Sequence, residues 1–145
     1  MLIQTKYFGE LEVDQAKIIT FPKGILGLEA YKAYAVFEMP DNPKFRCLQS
    51  IEETQIAFIL INPWDFFKDY DIDISDEELK TIQIKSIEQI VVFNIVTFQK
   101  NIMESTANLL APIIINTDIK EAAQIVLRED QYTTKHPIFH QKEGE

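Results

Sequence analysis

Cysteine is scarce here: Cys47 stands alone among 145 residues. One thiol makes no intramolecular disulfide and cannot assemble a thiolate zinc cluster, so Cys47 is expected to be a small buried hydrophobe. Glycine (4) and proline (6) are also few, and with 46% hydrophobic residues this excludes collagen-like and low-complexity classes. No apolar run approaches the ~18 residues of a membrane span; runs such as Ile90-Val91-Val92-Phe93 are strand-sized. Met1-Leu2-Ile3-Gln4-Thr5-Lys6 lacks the basic stretch, apolar core and cleavage site of a signal peptide, which predicts a cytoplasmic protein that does not enter a membrane. Basic residues are outnumbered 14 to 23, for a net charge of −9. That balance argues against nucleic acid, whose phosphates demand a basic patch, and favours a basic protein partner found by electrostatic steering.

The motifs of catalysis and metal binding are missing as well. Phe21-Pro22-Lys23-Gly24-Ile25-Leu26-Gly27 lacks the spacing and the Lys-Ser/Thr end of a phosphate loop, and its glycines read as turn residues. A calcium loop begun at Asp69 wants Gly at 74 and Glu at 80, where Ile74 and Lys80 stand. His136 and His140 have helical zinc-ligand spacing, but Pro137 interrupts a helix and no Glu follows His136. A Cys47–His136 nucleophilic pair lacks a supporting motif. The reading is therefore no enzyme, no metal and no cofactor.

What is present is a series of short apolar runs about ten residues apart. Ile3 to Val13 reads as a turn followed by a half-buried strand, Ile18–Phe21 as a short strand, and Tyr34–Phe37 with Phe45–Ser50 as an antiparallel pair around Pro40-Asp41-Asn42-Pro43. Ile56–Ile61 is apolar throughout and reads as buried, as does Ile113-Ile114-Ile115, entered through Pro112 and turned by Asn116-Thr117-Asp118. Ile90–Phe98 is β-branched and aromatic. Ser75-Asp76-Glu77-Glu78 is a helix start, with about two turns expected to Ile82, and Ser86-Ile87-Glu88-Gln89 repeats the signal. In Lys120–Arg128, Gln124 to Leu127 is read as strand. The expectation is mainly β: one compact antiparallel β-barrel-like domain, 1–145, with one or two short helices and a frayed polar tail from about 138.

Three features invite a partner. Asp69, Asp71 and Asp73 alternate with Tyr70, Ile72 and Ile74, so an extended backbone puts carboxylates on one face and apolar groups on the other. With Asp76, Glu77 and Glu78 they form an acidic cluster that serves either to guard a sheet edge or to meet a basic protein. Trp64, Phe66 and Phe67 exceed what one strand face buries, and read as a loop over the barrel end or as an interface anchor. Asn108, in Thr106–Pro112, either closes its own loop or is presented to a partner.

Thr5-Lys6-Tyr7-Phe8-Gly9-Glu10, Ile19-Thr20-Phe21-Pro22-Lys23-Gly24-Ile25-Leu26-Gly27, Leu48-Gln49-Ser50, Asn62-Pro63-Trp64-Asp65-Phe66-Phe67-Lys68-Asp69-Tyr70 and Thr106–Asn116 follow one another, up to His136-Pro137. In that order they resemble the bacterial flagellar assembly factor family FliW over almost the whole chain. Glu121-Ala122-Ala123 departs from the glycine and basic residues usual at that turn. The resemblance implies a β-barrel-like fold and a non-enzymatic regulator that binds the small basic translational repressor CsrA and, alternatively, flagellin, coupling flagellin translation to secretion. On it, Asp69, Asp71, Asp73, Glu77 and Glu78 are expected to steer the repressor, Trp64, Phe66 and Phe67 to add desolvated contact, and Asn108 to belong to the presented loop. Flagellin, presenting an amphipathic helical terminus, is expected to need a hydrophobic groove, for which the Thr106–Pro112 loop and the Tyr132–His136 segment are the candidates. A cytosolic flagellin chaperone without repressor binding is the alternative.

Overall fold

Short β-branched runs separated by turn residues become strands, and the order in which they pair bends them into a ring. The structure, a computed structural model, describes residues 1–128 and 132–139. Within them the chain is mainly β: β1 Leu2–Thr5, β2 Gly9–Glu12, β3 Ile18–Thr20, β4 Ala33–Met39, β5 Asn42–Ser50, β6 Ala57–Ile61, β7 Ile90–Thr97, β8 Thr106–Ala107, β9 Ile113–Asn116, β10 Glu121–Gln124 and β11 His136–Pro137. α1, Asp76–Lys80, is the one α-helix among the described residues, with four single 3-10 turns.

β1 and β2 form a separate hairpin. From β3 the sheet runs through β4, β5, β6 and β7 by antiparallel neighbours. β7 also pairs with β9, and β9 with β10. One parallel register, Glu121 to Thr20, joins β10 back to β3 and closes the circuit. Closure leaves few free edges, which protects the sheet from edge-to-edge aggregation. β8 lies on the same line of β7 as β9: Val96 faces Ala107, then Phe93 faces Ile113. Residues 108–112 leave the ladder between them, and β11 lies outside β8.

Strand alternation sorts the side chains into layers. Tyr34, Leu48, Leu60, Phe93, Ile113 and Ile115 share one core with Ile19 and Phe21. On the opposite faces of the same strands, Phe45, Ile59, Ile61 and Val96 meet Tyr70, Leu109, Leu127 and Ile138. Val92 and Ile114 meet Ile82 and Ile125. The β6–β7 connection and the chain after β7 thus wrap the outside. All four residues of β9 are buried, which is why its three isoleucines are unbroken by a polar residue. Each such side chain taken from water contributes about 1.5–3 kcal/mol.

Buried amides fasten this wrapping. Asn94, fully buried on β7, donates to the Asn108 carbonyl at 2.8 Å. Asn116, fully buried at the end of β9, donates to the Ile82 carbonyl at 2.8 Å. In each case a side chain satisfies a backbone group that a packed loop has removed from water.

Four expectations change. β2 is mostly exposed rather than half-buried, because it pairs only with β1 and stays outside the ring. α1 spans five residues rather than two turns; Gln83 takes a positive φ of 57°, and the chain leaves the helix there. Strand β10 lies at Glu121–Gln124, three residues before the expected start. Lys120, at φ 58°, donates its N–H to the Asn116 carbonyl at 2.9 Å and sets Glu121 directly opposite Asn116. Finally, Ile138 is not frayed: it is 2% exposed and donates its N–H to Ser105 at 3.1 Å. Residues 140–145, with His140 among them, lie outside the described residues.

Candidate partner-binding surface

Asn62 begins the surface by capping the turn after β6, its side chain accepting the Trp64 N–H at 3.0 Å while Pro63 fixes the first position. The turn throws Trp64 outward, 40% exposed, and its indole donates to the Tyr70 carbonyl at 2.9 Å. Phe66 and Phe67 turn back and are half-buried. The Phe66 ring lies 5.9 Å from Phe45 and 6.4 Å from Phe139, and the Phe67 ring meets His136 edge-on at 5.3 Å. Of the three aromatics expected at an interface, Trp64 alone stands out; the other two are loop-to-barrel packing that lines a groove.

The acids alternate as the sequence predicts. Asp69, Asp71 and Asp73 are exposed, Tyr70 is buried, and Ile72 and Ile74 are half-buried. Apolar anchoring on one side holds the carboxylates in water on the other. Among the described residues, none of the three has an ion-pair partner; the single pair joins the N-terminal amine to Glu12. Glu77 is exposed as well. Glu78 differs: Ser75 Oγ donates to its carboxylate at 3.0 Å, and its own N–H donates to Ser75 Oγ at 3.2 Å, so it serves the helix cap. Arg128 lines a small cavity with Asp73, Ser75 and Glu78, a cation at the edge of the acids.

Tyr70 ties the strip to the loop after β8. Its hydroxyl donates to the Leu109 carbonyl at 2.6 Å and accepts from Asn94 at 3.2 Å. The Tyr132 hydroxyl in turn accepts the Asp71 N–H at 2.7 Å. Asn108 has its side-chain oxygen occupied by the Ala111 N–H at 3.0 Å, and its carbonyl by Asn94. The loop-closing role is thus what its oxygen performs.

These elements enclose an open groove of about 440 Å³, lined by Phe66, Phe67, Lys68, Asp69, Tyr70, Leu109, Tyr132 and His136. Lys68 was not legible as a site residue, whereas Leu109, Tyr132 and His136 fall in the Thr106–Pro112 loop and the Tyr132–His136 segment that the family resemblance offers as candidates for a partner groove. Tyr132 carries no local signal; Tyr70 had one, as the aromatic on the apolar side of the acid alternation. Cys47, fully buried on β5, is far from nucleophilic: burial pushes its thiol up to about 11.

The FliW protein family model matches residues 2–138. The chain belongs to the FliW family. Among FliW relatives, the flagellar assembly factor FliW of Natranaerobius thermophilus is 42% identical over 97% of this chain and 93% of its own length. That of Bacillus subtilis is 38% identical over 95% and 96%. A crystal structure of the flagellar assembly factor FliW superposes with a TM-score of 0.91 at 33% identity, covering 98% of this chain and 99% of the other. Three of the FliW blocks quoted from the sequence meet at the groove: Phe66–Tyr70 from the Asn62–Tyr70 block, Leu109 from the Thr106–Asn116 block, and His136. No helix among the described residues is long and apolar enough to cross a membrane.

Proposed function

We propose that this protein is a non-enzymatic, cytoplasmic flagellar assembly factor that works by exchanging protein partners: it binds and antagonises the basic translational repressor CsrA, and flagellin, by occupying it, releases the repressor. Flagellin retained in the cell then shuts off its own translation, and flagellin secreted restores it. Family membership across residues 2–138 supports the flagellar role. The observation that carries the repressor half is the strip Asp69, Asp71 and Asp73, exposed and without ion pairs among the described residues.

In this reading Asp69, Asp71, Asp73 and Glu77 accelerate encounter with a basic surface, with Glu78 adding charge while it caps α1. Trp64 supplies exposed aromatic area at the edge of the strip, and Phe66 and Phe67 shape the groove that a partner side chain enters. Asn108 acts through the loop it closes rather than as a free donor-acceptor pair.

Calorimetric titration with the cognate CsrA repressor, with and without saturating flagellin, at two salt concentrations tests the scheme. Salt-sensitive repressor binding abolished by flagellin is expected. Binding to flagellin alone assigns a chaperone role instead, and binding to neither overturns both.

A further inference from the structure

Ile87 is the most exposed large hydrophobic side chain among the described residues, at 83%. A lone exposed isoleucine is ordinary, but this one lines a groove of about 370 Å³ with Leu79, Ile84 and Ile90. Lys80 and Lys85 line it too, with Asp76 one helical turn before Lys80. In a chain of net charge −9, lysines are the minority charge, and two of them border this apolar floor.

Both walls are fixed without a ligand. Ser86 and Gln89 form a reciprocal capping box around Ile87. Gln89 Oε1 also accepts the Lys85 N–H at 2.7 Å, and its Nε2 donates to Asp118 at 2.7 Å. On the other wall, the buried Asn116 amide holds the Ile82 carbonyl, and Ile84 donates its N–H to Leu79 at 3.0 Å. A preformed groove costs little ordering on binding. Ile87 itself adds almost nothing to the core, so folding does not account for an apolar residue there.

We infer that this groove docks an amphipathic helix of a protein partner, with an apolar stripe at i, i+3, i+4 and i+7 against Leu79, Ile84, Ile87 and Ile90 and carboxylates beside the stripe on Lys80 and Lys85. The site lies across α1 from Asp73 and Glu78: these line a cavity with Ser75 on one side of the helix, while Asp76, Leu79 and Lys80 line the groove on the other. It uses none of Asp69, Asp71 or Asp73, and so stands or falls independently of the repressor reading.

The test uses the full chain and a labelled synthetic peptide of about 15 residues, long enough to fold as a helix on contact, with leucines in the stripe and glutamates on both flanks. A second peptide replaces the glutamates by glutamines. Anisotropy titration is expected to show the glutamate peptide binding about tenfold more tightly than the glutamine one, and Ile87→Asp to weaken it about tenfold. The Lys80→Glu, Lys85→Glu double variant is expected to lose the preference, and thermal unfolding of Ile87→Asp to match the parent. The inference is overturned by absence of binding, by equal affinity of the two peptides, or by an Ile87→Asp variant that binds as the parent does. It is equally overturned if sedimentation shows self-association that Ile87→Asp abolishes, which assigns the face to a second copy.

Discussion

The Tyr70 hydroxyl donates to the Leu109 carbonyl at 2.6 Å, so one side chain from the acidic segment holds a loop that follows β8. Removing that hydroxyl strands the buried Leu109 carbonyl and takes from the Asn94 amide its 3.2 Å bond to Tyr70, leaving the 2.8 Å bond to the Asn108 carbonyl. Tyr70→Phe is therefore expected to cost about 1–3 kcal/mol in urea unfolding while the ring's packing is kept. An unchanged midpoint would show that the two groups find other partners.

Asp71→Lys combined with Asp73→Lys should leave thermal stability equal or slightly raised. No ion pair among the described residues is lost, and crowding with Asp69, Asp76 and Glu77 is relieved. The same variant should slow association with a basic protein partner, most at low salt, with dissociation changed less. Stopped-flow traces at two ionic strengths decide it; identical on-rates would remove the strip from the encounter.

Glycine matters differently at two nearby positions. Gly24 sits at φ +72°, and a Cβ there meets the Glu29 Cα at 2.5 Å; Gly27 sits at φ +85° with nothing within 4 Å. Gly27→Ala carries only the backbone strain of about 1–2 kcal/mol, whereas Gly24→Ala must also displace main chain and is expected to be clearly the worse. A paired melting experiment in which Gly24→Ala is the milder change contradicts the close approach.

The core predicts an alkaline limit. Burial raises Cys47 from the ordinary 9.0 to about 11, and Tyr34 from 10.0 to about 12. Both groups are neutral in the folded chain where the unfolded chain has begun to ionise, so the unfolded state binds fewer protons. Their contribution is complete below pH 9 and is lost as pH rises toward 12. Urea midpoints should be flat with respect to these groups near neutrality and fall through that window. In native protein at pH 8, Cys47 should resist thiol reagents until denaturant is added; rapid labelling would mean that β5 opens locally.

Sequence patterns exposed part of this molecule and hid the rest for a physical reason. The acid alternation at 69–74, the Ser75 cap and the three isoleucines of β9 are governed by neighbours within a few residues, and each was readable. β10 was misplaced because the turn at Lys120, not the propensity of Gln124 to Leu127, sets its register. The groove could not be located from the sequence because Phe66, Leu109 and Tyr132, each in a candidate segment, are brought together only by tertiary packing. Asn94 offered a hint that was missed. A polar residue inside the apolar run Ile90–Phe98 asks what it bonds to, and the answer is the loop beneath the candidate surface.

The pairing of Thr20 with Glu121 carries a consequence for how the molecule is made. A ribosome delivers β3 long before β10, and until then β4 to β7 are a strip with open edges. Loop-closure entropy makes so distant a contact slow to form. Nascent chains held before β10 should therefore be protease-sensitive and prone to edge pairing, and become resistant together once it emerges.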